Sequence, residues 1–191
     1  MNRRKAIFSI FLLGGGASAG FSWYKWYQVH KTPDLAYLDS HTELVAALAA
    51  TIIPVTATPG AREALVHVTV IKMVKEVADR KTRNIFINGL KELALYTENE
   101  YDKPFTALTA GQQTAVVGYF RDQGKNYGGA AGKIKNRLAG KSFFLVLKEY
   151  TTRAFCTSQT GATETLAYND IPGSWEACIP VTAGQRSWAT K

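Results

Sequence analysis

The sequence predicts an all-α protein: a small helical bundle with an N-terminal signal or anchor segment in front and a long irregular C-terminal tail behind. Three observations predict it. From Leu44 to Phe155 the apolar residues recur at steps of three and four, which lines one face of a helix. Ser40 with Glu43, and Thr109 with Gln112, carry the pattern in which two side chains satisfy the free amides of a helix start. Ahead of all this stand a basic stub and an apolar run with no acidic residue among them.

The chain has 191 residues, 46% hydrophobic and 20% charged, the composition of one folded domain. Without its leader the remainder, residues 32–191, would bury roughly 70% of the surface its unfolded chain exposes, so no metal or disulfide scaffold is needed to hold it.

The leader, residues 1–31, is a routing segment. Met1 to Lys5 is positive and contains Arg3 and Arg4; Ala6 to Leu13 is apolar; Gly14 to Gly20 consists of small residues. This is the order of an export signal, with Ala17 and Ala19 supplying an A-x-A cleavage site ahead of Gly20. The paired arginines are similar to the twin-arginine signal of the folded-protein export route, although Ala6 stands where that motif prefers phenylalanine. Alternatively the segment stays attached as an anchor. Ala6 to Ser22 would rise about 25 Å as a helix, just short of a hydrocarbon core of roughly 30 Å. Trp23, Tyr24, Trp26 and Tyr27 then fall where amphipathic rings favour the membrane interface. Both alternatives place the body outside the cytoplasm, on the periplasmic side of the inner membrane. A plain buried N-terminal helix is the third.

Thr32 to Leu38, with Pro33, reads as a linker. The capping box at Ser40 then opens a helix whose apolar face is Leu44, Ala47, Leu48, Thr51 and Ile52, and Pro54 stops it. Val55 to Gly60 reads as a turn. Val66 to Ile71 is rich in β-branched residues, yet Val66, Val70, Met73, Val74 and Val77 step by four and three and predict a helix. Ile85, Leu90, Leu93 and Ala94 continue in that style, with Gly89 a mild penalty. Tyr101 to Leu108 is a loop around Pro104, after which the box at Thr109 starts a helix carrying Ala115, Val116, Tyr119 and Phe120. Gly124 to Gly132 is glycine-rich and separates that helix from one spanning Lys141 to about Thr157, striped by Phe143, Leu147, Tyr150 and Ala154. Ser158 to Lys191 is turn-rich.

The formal charge of +8 sits mostly in the leader, which holds Arg3, Arg4, Lys5, Lys25 and Lys31; the body keeps 18 basic against 15 acidic residues. That is an ordinary solvated surface and argues against nucleic acid as a partner. His30, His41 and His67 lie in separate segments without the spacing of a metal or acid–base pair. Gly128, Gly129, Gly132 and Lys133 do not form a phosphate loop, because Tyr127 and Ile134 occupy its glycine and Ser/Thr positions. Glu98, Glu100 and Asp102 read as solvated carboxylates of a polar loop. No catalytic, cofactor-binding or metal-binding residue is assigned. Cys156 and Cys178 are too few for a disulfide framework. What remains is a tail dense in aromatics and prolines: Tyr168, Pro172, Trp175, Pro180 and Trp188. It suits either a docking face for a partner or a tail packed on the core.

The order of short motifs resembles the gluconate 2-dehydrogenase subunit 3 family. The blocks that carry the resemblance are the twin-arginine start; Ala46 to Pro54 with Thr58, Pro59, Gly60 and Ala61; Lys103, Pro104 and Phe105 leading into Leu108, Thr109, Gln112 and Gln113; and a C-terminal block. The last runs Phe143, Phe144, Leu147, Lys148, Glu149, then Thr157, Ser158, Gly161, Ala162, Leu166, Tyr168, Pro172, Gly173, Cys178, Ile179 and Pro180.

The resemblance implies a non-catalytic accessory subunit that escorts, exports and stabilises an FAD-dependent sugar or alcohol dehydrogenase of the glucose-methanol-choline type, often working with a cytochrome c. FAD and the catalytic base would belong to the large subunit, and the small one would carry the signal and dock through Tyr168, Pro172, Gly173, Trp175, Cys178, Pro180 and Trp188. Two departures stand out: Ala177 where the family usually has glycine, and Cys156 where it usually has an aromatic. Cys178 therefore has two candidate partners, Cys156 and a cysteine of the large subunit; a bridge to Cys156 would close a loop of about twenty residues, worth roughly 3 kcal/mol if unstrained. A membrane-tethered, stand-alone binding domain for a ligand or envelope component is the rival function. An enzyme using Cys178 as nucleophile is the weakest, since no histidine is placed to activate it.

Overall fold

The computed structural model describes residues 27–124, 140–168, 171, 173, 178 and 180–189. Among them there is no strand, only an isolated parallel bridge between Ala167 and Trp188. After a helical turn at 27–30 come α1 (Ala36–Ser40), α2 (Thr42–Ile52), α3 (Val66–Lys72) running on as a π-helical stretch (Met73–Val77), α4 (Arg80–Tyr101), a 3-10 turn (Phe105–Ala107), α5 (Ala110–Gln123), α6 (Phe143–Thr157) and a π-helical turn (Gly161–Thr165). The all-α expectation holds. Residues 125–139, with most of the glycine-rich stretch, lie outside the described residues, as do Arg3, Arg4, Ala17 and Ala19.

The expected linker is instead structured. Leu38 is fully buried, and removing such a side chain from water is worth about 1.5–3 kcal/mol, enough to draw residues 36–40 into a helical turn on the core. This pre-empts the capping box expected at Ser40, which is a correction. Ser40 now ends a helix, and its hydroxyl donates back to the Tyr37 carbonyl at 3.1 Å. Glu43 pairs with Arg62 at 3.2 Å. His41 occupies the junction, its ring stacked on Tyr37 with centroids 3.8 Å apart.

Six consecutive residues of α2, Leu44 to Ala49, are buried, so this helix is enclosed all round. Pro54 follows its end as expected, and the Ala61 amide donates to the Ile53 carbonyl at 2.9 Å to fold the chain back. That return needs a glycine at 60: a Cβ there would stand 2.8 Å from the Val55 nitrogen.

α3 is a helix, as its spacing predicts, but Val77 is 71% exposed instead of lining the stripe. The wider π turns over Met73–Val77 break the 3.6-residue phase, and Ala78 goes inside in its place. Asp79 caps α4, its carboxylate accepting from the Thr82 amide at 3.1 Å; hydrogen bonding from Thr82 holds that carboxyl below its ordinary pKa. α4 runs 22 residues, about 33 Å, and therefore swallows part of the expected acidic loop. Glu98 and Glu100 are helical, and Asp102 ends the helix at a left-handed φ of 52°.

The Thr109 box forms as expected: the Gln112 amide donates to Thr109 Oγ1 at 3.4 Å, and the Thr109 amide to Gln112 Oε1 at 3.0 Å. Ser142 caps α6 through the Leu145 amide. α6 is the hub of the bundle and packs on α2, α3, α4 and α5. Its first residue, Phe143, joins Phe86 and Phe120 edge-on at 5.8 and 6.0 Å, and the Phe143 side chain lies over Gly89 of α4.

Candidate functional site

The C-terminal segment is held at its base by main-chain bonds. Ser158 turns the chain off α6, its hydroxyl donating to the Phe155 carbonyl at 2.7 Å and accepting from the Gly161 amide at 3.0 Å. Beyond the π-helical turn, Ala167 meets the chain end: its amide donates to the Ser187 carbonyl and its carbonyl accepts from the Ala189 amide, both at 2.8 Å. Arg186 Nη1 adds a bond to the Glu164 carbonyl at 2.9 Å. Residues 168–187 are thereby closed into a loop.

Among the described residues, the loop shows several large apolar side chains to water. Ile171 and Val181 are 81% and 87% exposed, Tyr168 and Trp188 about half, and Gly173, Cys178 and Pro180 are also exposed. The bridge sets Trp188 beside Ala167 and so brings the two half-exposed aromatics to the same base. A Thr182–Gln185 turn, with Gly184 at φ 78°, brings the chain back toward it. Pro172 and Trp175 lie outside the described residues. Cys156, half-buried on α6, and exposed Cys178 are both free thiols.

A second exposed apolar group escaped the sequence reading. Leu65 adopts a left-handed φ of 50° and is 61% exposed, while Val68, three residues on, is exposed as well. Holding a leucine in that conformation costs about 1 kcal/mol, and the chain bears it to start α3 directly after the turn at Gly60. No sequence signal marks it, because a leucine before a helix ordinarily reads as core. His67 next to it is half-buried with Nδ1 lacking a hydrogen-bond partner, and burial pushes its pKa below the ordinary value, aided by Arg62 and opposed by Glu43. Among the described residues no group of His, Cys, Asp and Glu is gathered so as to hold a metal. Nor is any described helix long and apolar enough to cross a membrane.

The described part of the chain is thus a small α-helical domain that ends in a closed loop. The family described as Gluconate 2-dehydrogenase subunit 3 matches residues 39–173, most of the bundle and the start of the loop. The chain belongs to the gluconate 2-dehydrogenase subunit 3 family. Its description makes the family a subunit of a dehydrogenase complex. Cys178, Pro180 and Trp188 stand beyond the matched residues. Comparisons with curated proteins and with solved structures found no match.

Proposed function

We propose that this chain is the non-catalytic accessory subunit of an FAD-dependent sugar or alcohol dehydrogenase of the glucose-methanol-choline type, and that it escorts, exports and stabilises the catalytic subunit. The observation that carries this is the family match over residues 39–173. In this arrangement FAD and the catalytic base reside in the large subunit, and a cytochrome c takes the electrons onward. Residues 1–31 supply the address or anchor, which puts the complex on the periplasmic side of the inner membrane.

The closed C-terminal loop is the docking element. Its exposed Tyr168, Ile171, Val181 and Trp188 gain nothing from water, and large aromatic side chains are the residues that most often dominate binding when a partner covers them. A loop tied at both ends also loses less conformational entropy on docking than a free tail of equal length.

The test is co-purification. An affinity-tagged chain recovered from its native cell retains a flavin-containing polypeptide, and recovery of none overturns the proposal. With Trp188→Ala or Tyr168→Ala the body keeps its melting temperature while affinity for that polypeptide drops at least about tenfold. Unchanged affinity in both variants would remove the loop as the docking element and leave the subunit assignment standing.

A further inference from the structure

One polar stripe of α4 is occupied by the chain itself. Asn84, Asn88 and Lys91 follow one another at helical spacing and would ordinarily face solvent, yet Asn84 is only 1% exposed. Its side-chain amide donates to the carbonyl oxygens of Val29 at 3.1 Å and Lys31 at 2.7 Å. Asn88 Nδ2 reaches the Gln28 carbonyl at 3.4 Å. Lys91 Nζ is 2.9 Å from Asp34 Oδ2 and lies 4.5 Å from the centroid of the Tyr37 ring. These acceptors are the last carbonyls of the helical turn at 27–30 and the residues just after it, groups that a helix end leaves without partners of its own.

We propose that Asn84, Asn88 and Lys91 form a clasp that fixes the end of the leading segment to α4, so that whatever precedes residue 27 leaves the body from one rigid point and not through a free linker. Asn84 is the key member, because its buried amide finds its partners in the leading segment. Lys91 adds little on its own, since the Asp34 pair is open to water. The exit point has a defined place relative to the C-terminal loop. Phe143, at the start of α6, lies over Gly89, and Gly140 just before it lies against Ile85 and Lys81, so α6 begins against the stretch of α4 that carries the clasp. The clasp therefore sits near the start of α6 and the loop follows its other end, about 20 Å of helix away.

The clasp is independent of what the loop binds, and its test needs no partner. Lys31 is a trypsin site whose carbonyl Asn84 holds. In the full chain in detergent, cleavage after Lys31, followed by mass mapping, is slow; in Asn84→Ala it rises about tenfold while cleavage at sites within α4 to α6 keeps its rate. Asn88→Ala gives a rise of about threefold and serves if Asn84→Ala fails to fold. Equal Lys31 cleavage in wild type and variants overturns the proposal. So does hydrogen exchange in the wild-type peptide spanning residues 27–35 at the rate of an unstructured segment.

Discussion

Gly89→Ala sets local propensity against packing. In the middle of α4 alanine is favoured over glycine by about 1 kcal/mol, so α4 taken alone gains from the substitution. The added Cβ, however, would stand 2.1 Å from Phe143 Cγ, 2.3 Å from its Cδ2 and 2.6 Å from its Cβ. Turning the ring relieves only the first two contacts. The third involves an atom fixed to the α6 backbone, so α6 must move away from α4. Phe143 is also wedged edge-on against Phe86 and Phe120, which narrows the rotamers open to it. Overpacking of this kind costs about 1–3 kcal/mol, and three contacts this short place it at the top of that range. After the propensity gain the net loss is about 2 kcal/mol, or a melting temperature lower by about 4–8 °C for a domain of this size. Thermal and urea unfolding of the purified chain measure it. The substitution should cost less in a Phe143→Leu background, because the two side chains share one space. A melting temperature unchanged or raised in Gly89→Ala would refute the packing of α4 on α6 described above.

Thr109→Ala removes the hydroxyl that receives the Gln112 amide at the start of α5 and should lower stability by about 1 kcal/mol in urea unfolding, with Gln112→Ala removing the reciprocal bond. His67 gives the fold a pH dependence whose sign is fixed. Unfolded, it takes a proton near its ordinary pKa of 6.5; folded, only at a lower pH, so the unfolded state binds more protons in between. Its contribution is intact above about pH 6.5 and is lost as pH falls from there toward the folded value, so the urea midpoint of wild type should drop more steeply on acidification than that of His67→Gln.

Two identical-looking signals in the sequence had different fates. The box at Thr109 forms because the 3-10 turn just before it ends at Ala107 and leaves Thr109 extended, whereas the box at Ser40 is lost because Leu38 is drawn into the core and takes residues 36–40 into a helix first. Helix stripes were legible wherever the helix kept its 3.6-residue phase; Val77 was misplaced because a π-helical stretch departs from that phase. Gly89 read as a weakness because its reason is a ring on another helix, more than fifty residues along the chain. Among the candidate interface residues, exposed aromatic character at Tyr168 and Trp188 could be read from the tail's composition. Their shared base could not, since main-chain atoms make it. The same holds for Asn84 and Asn88, whose acceptors are backbone oxygens that no side-chain pattern records.

The fastening at Ala167 places unequal demands on different stretches of the C-terminal region. Because amide and carbonyl groups of Ala167, Ser187 and Ala189 close it, with the Arg186 side chain adding one bond, the exposed side chains of Tyr168, Ile171 and Val181 can change in identity without loosening it. Evolution can retune what is displayed there while leaving the bundle untouched. A stop codon after Gln185, by contrast, would remove only six residues of 191 and unlatch the whole display.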